Sequence, residues 1–297
     1  MISTNEVKDM NTYLNDDTTE LVKTNDFYIP VAILVVLCGL IYNSAFENNT
    51  YTCDNIVANV YLYVLVSLVL FHIFTLIFVK NKSIKYLYAI QKKMGNIVFL
   101  LLFVAILFGL FMVFYSIQTN IIGSHIMLVI LIGIISYLLS YLFILLKMQG
   151  LYNQVILTTT LLVFGIMCIF YYNQELIVPY LQDEKIYLTV VVIFIILIIC
   201  KLIYFYIYGY SKMIRIVGAS VVVVLFIYLL LADTQQILEI TPSECKTALV
   251  ECQKSMFNSK CNIEKYPSYP QKSYEIFNDI IVLAKNISEI FLASNND

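Results

Sequence analysis

Residues Ile216–Gln235, IVGASVVVVLFIYLLLADTQ, decide the fold of this 297-residue chain. The stretch from Ile216 to Ala232 contains no charged residue, and the acid Asp233 follows directly. Such a run is typical of a membrane-buried helix with a carboxylate near its end. Because similar runs fill the chain before this stretch, the sequence predicts a polytopic membrane protein.

The composition supports the same prediction. Hydrophobic residues make up 61% of the chain and charged residues 13%, with a mean hydropathy of +0.84. Soluble domains have about 45–50% and about 25%, so this chain has too few polar residues to cover a water-soluble globule. We therefore expect the lipid bilayer to be its main partner. The net charge of −2 argues against nucleic acid, since no basic stripe is present to neutralise phosphates.

Seven apolar segments fit the length of about 20 residues that a spanning helix needs. None of them alternates as a barrel strand does, so we predict an all-α fold, a polytopic transmembrane helical bundle of about seven spans. The predicted spans are Phe27–Tyr42, Val60–Val79, Ile97–Ile117, Ile126–Leu146, Val155–Tyr172, Ile186–Tyr208 and Ile216–Ala232. Two pairs of small residues four apart, Ala105 with Gly109 and Ser136 with Ser140, predict close contact between helices.

The loops predict the orientation. Loops of one parity carry eight basic residues, whereas the opposite loops carry only Lys185. The positive-inside rule therefore places the N-terminus in the cytoplasm and the residues after Asp233 on the non-cytoplasmic side, which we call the outer side.

The chain divides into four predicted regions. Residues 1–26 are polar and acidic and are expected to form a disordered cytoplasmic tail. Residues 27–234 form the transmembrane bundle, and residues 235–273 form an outer region that contains cysteine. Residues 274–297 contain an amphipathic helix that either lies in the membrane interface or re-enters the bundle as an eighth helix.

Four cysteines fall on the predicted outer side: Cys53, Cys245, Cys252 and Cys261. An even number in an oxidising compartment predicts two disulfides with three possible pairings. Zinc is the alternative, but the four include no C-x-x-C pair and no nearby histidine. Thr241–Glu244, with sequence TPSE, is a capping box that predicts a helix to about Phe257, with Cys245 and Cys252 on one face.

Catalytic motifs are absent from the sequence. It has no Ser-His-Asp order, no glycine-rich phosphate loop and no H-E-x-x-H pattern, so we expect neither an enzyme nor a cofactor or resident metal. His72 lies in the middle of an apolar segment, where ionisable residues are often functional. The simpler interpretation of His72 is a neutral imidazole bonded to a neighbouring hydroxyl.

Two C-terminal motifs carry a family resemblance. Leu229–Gln235, LLLADTQ, and Tyr274–Ile281, YEIFNDII, resemble the last two helices of the Bax-inhibitor family of membrane proteins. The resemblance implies seven to eight membrane segments and a pH-sensitive calcium-leak gate formed by Asp233 and Asp279. The approach to the last helix, Tyr266–Pro270, is also similar to uncharacterised membrane proteins of large DNA viruses.

The proposed pair is physically reasonable without the family. Two carboxylates in a low-dielectric site cannot both ionise easily, so they would share a proton. Deprotonation would create an anionic site for a hard cation such as calcium. The alternative is that Asp233 is a helix-end acid at the headgroup level and that Asp279 lies on the solvated face of an amphipathic helix.

Three functional hypotheses follow. The first is a Bax-inhibitor-like, pH-sensitive leak channel that regulates calcium or cell death, with calcium or protons as its partners. The second is a structural or assembly protein of a large DNA virus or an organelle membrane, whose disulfide-closed outer C-terminal region binds a protein partner. An intramembrane enzyme is the third. The endoplasmic reticulum is the expected location for the first hypothesis, and a virion membrane is expected if the protein is viral.

Overall fold

The computed structural model of the protein describes residues 21–47, 50–83, 85–86, 96–117, 119–208, 211–254 and 263–295. Helices dominate these residues, with short 3-10 turns at Thr24–Phe27 and Ile263–Lys265. The helices are α1 (Tyr28–Ala45), α2 (Ile56–Lys80), α3 (Asn96–Ser116), α4 (Ile121–Met148), α5 (Tyr152–Tyr172), α6 (Gln174–Leu181), α7 (Glu184–Tyr208), α8 (Lys212–Leu238), α9 (Pro242–Lys254) and α10 (Tyr269–Asn295).

Every predicted span coincides with a helix, and the all-α membrane fold is confirmed. Within the described residues, five helices are long and apolar enough to cross a membrane, namely α1, α2, α4, α5 and α8. Helices α3 and α7 occupy the other two predicted spans. A helix suits these segments because lipid offers no partner to backbone N–H and C=O groups.

The chain forms two compact units. The disulfide unit comprises Glu20–Tyr141 and Ile237–Phe277, and it contains the cysteine bridge described below. The aspartate unit includes Leu142–Gln236 and Asn278–Asp297, and it contains both Asp233 and Asp279. Helices α4, α8 and α10 have residues in both units.

In the disulfide unit, a small β-hairpin joins the first two helices. Strands β1 (Phe46–Glu47) and β2 (Thr50–Tyr51) pair antiparallel, with Phe46 opposite Tyr51. This hairpin is the only sheet among the described residues. It reverses the chain so that α1 and α2 pack side by side.

Helices α2 and α4 approach closely where the small residues predicted it. Ser136 and Ser140 are fully buried, and the hydroxyl of Ser136 donates to the carbonyl of Phe71 in α2 at 3.2 Å. The prediction at Gly109 differs, because a Cβ built on that residue meets no described atom within 4 Å. No close helix contact is therefore seen at Gly109.

Of the local predictions outside the predicted spans, the one for α9 is confirmed and the one for the segment that contains α6 is wrong. The capping box at Thr241 is confirmed, since its hydroxyl accepts from the Glu244 backbone N–H at 3.3 Å while the Glu244 carboxylate accepts from the Thr241 N–H at 3.1 Å. Helix α9 begins at Pro242 as predicted. Helix α6, which contains Pro179, lies in a segment expected to be a loop.

Candidate functional site

Helix α10 carries the second predicted aspartate, and it is buried along most of its length. Asp279 is only 4% exposed, which corrects the alternative that placed it on a solvated helix face. Polar residues of α10 are buried as well: Gln271, Ser273, Asn286, Ser288 and Glu289. The burial favours re-entry into the bundle over a position in the membrane interface.

Most of these buried polar side chains satisfy their hydrogen bonds within α10 itself. Ser273, Asn286 and Ser288 each donate to a carbonyl three or four residues earlier, at 2.7–3.1 Å. Glu289 pairs with Lys285 one turn before it, with an N–O distance of 2.8 Å. An ionised Asp279 has no proton to give to a helix carbonyl. Its charge therefore needs a donor, a proton or a cation from elsewhere.

Asp233 lies near the end of α8, where the helix is anchored to its neighbours. Thr234, the next residue, donates to the carbonyl of Leu230 at 2.7 Å and so returns its hydroxyl to its own helix. The residues just before Asp233 join an apolar cluster with α5 and α6, formed by Phe170, Leu181 and Ala232 with Ile177, Val178, Tyr228 and Leu231 around them. This packing fixes the position of the helix end. Asp233 itself is half-buried.

The two aspartates belong to the same compact unit, whereas the predicted histidine does not. Asp233 and Asp279 both lie in the aspartate unit, on helices α8 and α10. His72 lies in α2, in the disulfide unit, and is half-buried.

One disulfide among the four predicted cysteines is confirmed, and it joins the loop between α1 and α2 to helix α9. Cys53 and Cys245 form a disulfide that links residues 192 positions apart. Cys252 is also disulfide-bonded and lies buried on the same helix as Cys245. Cys261, the fourth candidate, lies outside the described residues.

Next to this bridge lies a group of tyrosines that the sequence did not predict. The Tyr269 hydroxyl donates to the carbonyl of Thr52 at 2.6 Å, and Asn59 donates to the Tyr269 hydroxyl at 3.4 Å. Tyr63 stacks on Tyr269 with ring centroids 5.8 Å apart, and Tyr51 meets it edge-on at 5.2 Å. We call Tyr51, Tyr63 and Tyr269 the tyrosine cluster. It connects α2, the hairpin and the start of α10.

His125 completes the cluster through two hydrogen bonds. Its Nδ1 lies 2.6 Å from the carbonyl of Ile121, which only accepts, so Nδ1 carries the hydrogen. In the neutral ring, Nε2 is then an acceptor, and the Tyr63 hydroxyl donates to it at 2.7 Å. The Tyr51 hydroxyl lies 3.3 Å from the hydroxyl of Ser124, which precedes His125 in α4. Burial raises the pKa of Tyr51, so its phenol stays neutral.

Several side chains that carry oxygen thus lie on α10 and beside it, but the described residues contain no dense cluster of metal ligands. Among the described residues, no group of three or more His, Cys, Asp or Glu side chains lies close enough to hold a metal ion.

Comparison with protein families decides the relationship. The family model described as "Inhibitor of apoptosis-promoting Bax1" matches residues 53–296, which is most of the 297-residue chain. The chain belongs to the Bax-inhibitor family. The match extends far beyond the two C-terminal motifs that resemble the family. It begins at Cys53, after α1 and the β-hairpin. Searches of curated proteins and of solved structures found no match. The protein is therefore a multi-pass integral membrane protein of the Bax-inhibitor family.

Proposed function

We propose that this Bax-inhibitor family member is a pH-sensitive calcium leak channel in which Asp233 and Asp279 share a proton. The observation that carries the proposal is the burial of Asp279, which is 4% exposed in the middle of α10. A buried ionisable residue in a membrane bundle is expensive and is usually retained for function. Asp233 is the acid of the other family motif and lies in the same compact unit.

The mechanism follows from the repulsion between two carboxylates. While one proton is held between them, the pair carries a single negative charge, and the two carboxyl groups remain hydrogen-bonded to each other. Loss of that proton leaves two negative charges in a low-dielectric site. These charges repel each other and attract a hard cation, for which carboxylate oxygens are the preferred ligands. Acidification would therefore close the leak, and higher pH would open it.

The same proposal includes a location and an orientation. The basic residues of the loops support a cytoplasmic N-terminus, with the disulfide on the opposite, oxidising side. The endoplasmic reticulum provides such a compartment and a store of calcium. A virion membrane is the alternative location if the chain is viral.

Calcium flux in proteoliposomes tests the gate. We would compare the wild type with Asp233→Asn, Asp279→Asn and the double variant between acid and neutral pH. Each single variant leaves one carboxylate without a like-charged neighbour, so its pH response should move to lower pH or disappear. The double variant should add little to either single one, because the two residues act as a unit.

A matched control lies close to Asp233 in the sequence. Glu239 is an exposed acid that follows the end of α8, so Glu239→Gln removes the same charge outside the proposed pair and should keep the wild-type pH response. A wild type that conducts no calcium would overturn the leak proposal, as would Asp279→Asn conducting identically across the pH range.

A second candidate is a structural or assembly protein that binds a protein partner through its outer C-terminal region. The disulfide between Cys53 and Cys245 favours it, since the bridge fixes α9 to the first loop and leaves the charged pair Lys246 and Asp54 exposed. This hypothesis expects reconstituted wild type to conduct nothing. The flux measurement above therefore separates the two candidates.

A further inference from the structure

The first turns of α10 hold a buried amide whose orientation is fixed. The Gln271 side chain is 2% exposed, and its Nε2 donates to the carbonyl of Phe114 in α3 at 3.0 Å. A carbonyl only accepts, so the nitrogen faces Phe114 and Oε1 points to the other side. In the part of the chain that the structure describes, Gln271 Oε1 is buried and has no hydrogen-bond partner. A buried acceptor in this state is costly and needs a donor or a cation.

A carboxylate lies one helical turn further on. Glu275 accepts a hydrogen bond from the Tyr115 hydroxyl at 2.8 Å, and Tyr115 is the residue after Phe114. Residues four apart on a helix share a face, with Cβ atoms about 5–6 Å apart. Gln271 and Glu275 are therefore held side by side by two consecutive residues of α3. Both side chains therefore lie on one face of α10.

The nearest cation on α10, Lys272, interacts with Glu275 electrostatically but donates its hydrogen bond to a different residue. Lys272 donates from its Nζ to the backbone carbonyl of Glu264 at 2.9 Å. The ion pairs seen among the described residues involve Asp54, Glu244 and Glu289, and none involves Glu275. The Glu275 carboxylate therefore has one hydroxyl donor, and Lys272 interacts with it electrostatically without forming a close ion pair.

We propose that Gln271 Oε1 and the Glu275 carboxylate form a binding subsite for a hard divalent cation of the calcium class. The proposal deepens the leak function and rests on it, since this subsite lies towards the disulfide end of α10, before Asp279 along the helix. One carboxylate and one amide oxygen supply few of the six to eight oxygens that calcium takes, so water completes the shell. The site is weak, as a site of passage needs to be.

The terbium ion is a suitable probe because it binds oxygen ligands as calcium does and emits when a nearby phenol is excited. The chain has 24 tyrosines and no tryptophan, so tyrosine is the only antenna of this kind. Tyr115 bonds directly to Glu275 and is therefore an antenna at the subsite. Titration of the full-length protein in detergent with terbium should give saturable emission, and added calcium should reverse it. Tyr115→Phe should remove most of that emission.

Loss and gain of ligands should move the affinity in opposite directions. Glu275→Gln removes the only charged ligand and should weaken terbium binding about tenfold or more. Gln271→Glu places a second carboxylate beside the first and should tighten binding by a similar factor, with a calcium-dependent rise in thermal stability. A gain of affinity is not produced by misfolding, so this variant keeps the proposal falsifiable if Glu275→Gln folds poorly.

Glu264→Gln is the matched control. It removes an acid from the same neighbourhood, while the backbone carbonyl that binds Lys272 remains, and it should leave terbium emission unchanged. Emission that is insensitive to Glu275→Gln, or that falls equally in Glu264→Gln, would overturn the subsite.

The two proposals fail in different ways. Terbium binding that follows Gln271 and Glu275 in a protein without calcium flux would keep the subsite and end the leak function. Calcium flux that responds to Asp279→Asn, with terbium binding indifferent to Gln271→Glu, would keep the leak and end the subsite.

Discussion

Helices α1 and α10 invert the familiar relation between polarity and burial. In α1 the side chains are almost all apolar, yet only Ile41 and Ala45 are buried. Helix α10 carries acids, amides and hydroxyls, and it is buried along most of its length. In water, the polar helix would be the exposed one. Here the surrounding solvent is lipid, so the apolar helix faces outward and the polar helix is covered by protein.

This difference shows what hydropathy measures in a membrane protein. A strongly apolar segment indicates contact with lipid, because charges and amides in hydrocarbon cost free energy. It does not indicate which helix forms the centre of the bundle. Helix α10 has 27 residues, enough at about 1.5 Å per residue to cross a bilayer, but it is not among the helices apolar enough to qualify as a span.

The largest expected effect comes from creating a cavity in α10. Phe277 is fully buried and packs edge-on against Phe71 at 6.1 Å. Phe277→Ala should lower the free energy of unfolding by about 3–5 kcal/mol, measured by denaturation in mixed detergent micelles. Val35→Ala, on the exposed surface of α1, is the control and should change it little. Equal losses in both variants would show that the contrast between the helices has no energetic meaning.

Sequence alone predicted most of the membrane helices, because each depends on a local property. Two examples are the apolar run from Ile216 to Ala232 and the capping box at Thr241. Each depends only on residues that are neighbours in the chain. The sequence does not decide whether α10 lies in the membrane interface or in the bundle, because burial of its polar face depends on which distant segments cover it.

The candidate site was predictable to a smaller extent. The family motif identified Asp233 and Asp279, but whether Asp279 faces water depends on the fold. The tyrosine cluster was missed because Asn59 and Tyr269 meet across 210 residues. Gln271 was missed for a different reason, since a single amide in an amphipathic helix resembles any solvated residue until its neighbours are known.

The second largest effect is expected from removing the disulfide, which tethers the region before α10 to the loop between α1 and α2. Loss of the bridge in Cys53→Ala should destabilise the protein by about 2–4 kcal/mol, because the bridge closes a very long loop in the unfolded chain. Addition of dithiothreitol to the wild type should lower its thermal midpoint as well. Cys38 in α1 is a free, exposed cysteine, and Cys38→Ala should be neutral. A wild type whose four predicted outer thiols all react with iodoacetamide before reduction would contradict the oxidised state.

A smaller effect is expected at the first residue of α10. Tyr269→Phe removes the hydroxyl that donates to Thr52 and accepts from Asn59, leaving buried polar groups without that partner. We expect a loss of about 1–2 kcal/mol in unfolding free energy. Tyr42 lies exposed on α1, so Tyr42→Phe should have no measurable effect in the same denaturation assay. A neutral Tyr269→Phe would mean that ring packing alone holds Tyr269 in the tyrosine cluster.

The smallest effect extends the comparison to the way in which helices begin. Helix α1 starts without a side-chain cap, whereas α9 starts with the capping box of Thr241 and Glu244. Hydrogen bonds from the Thr241 hydroxyl and backbone N–H lower the pKa of Glu244 below its ordinary 4.5, and Lys265 at 3.7 Å assists. The resulting stabilisation is present above pH 4.5 and is lost as pH falls through the lowered value.

Hydrogen exchange of the peptide 241–254, compared between wild type and Glu244→Gln at each pH, isolates this contribution because the intrinsic pH dependence of exchange cancels in the ratio. Gln resembles protonated Glu, so the wild type should exchange more slowly above pH 4.5, and the ratio of rates should approach one in stronger acid. The start of α1 has no such cap and should give a constant ratio. A ratio near one at neutral pH would show that the Glu244 carboxylate contributes nothing to the stability of α9.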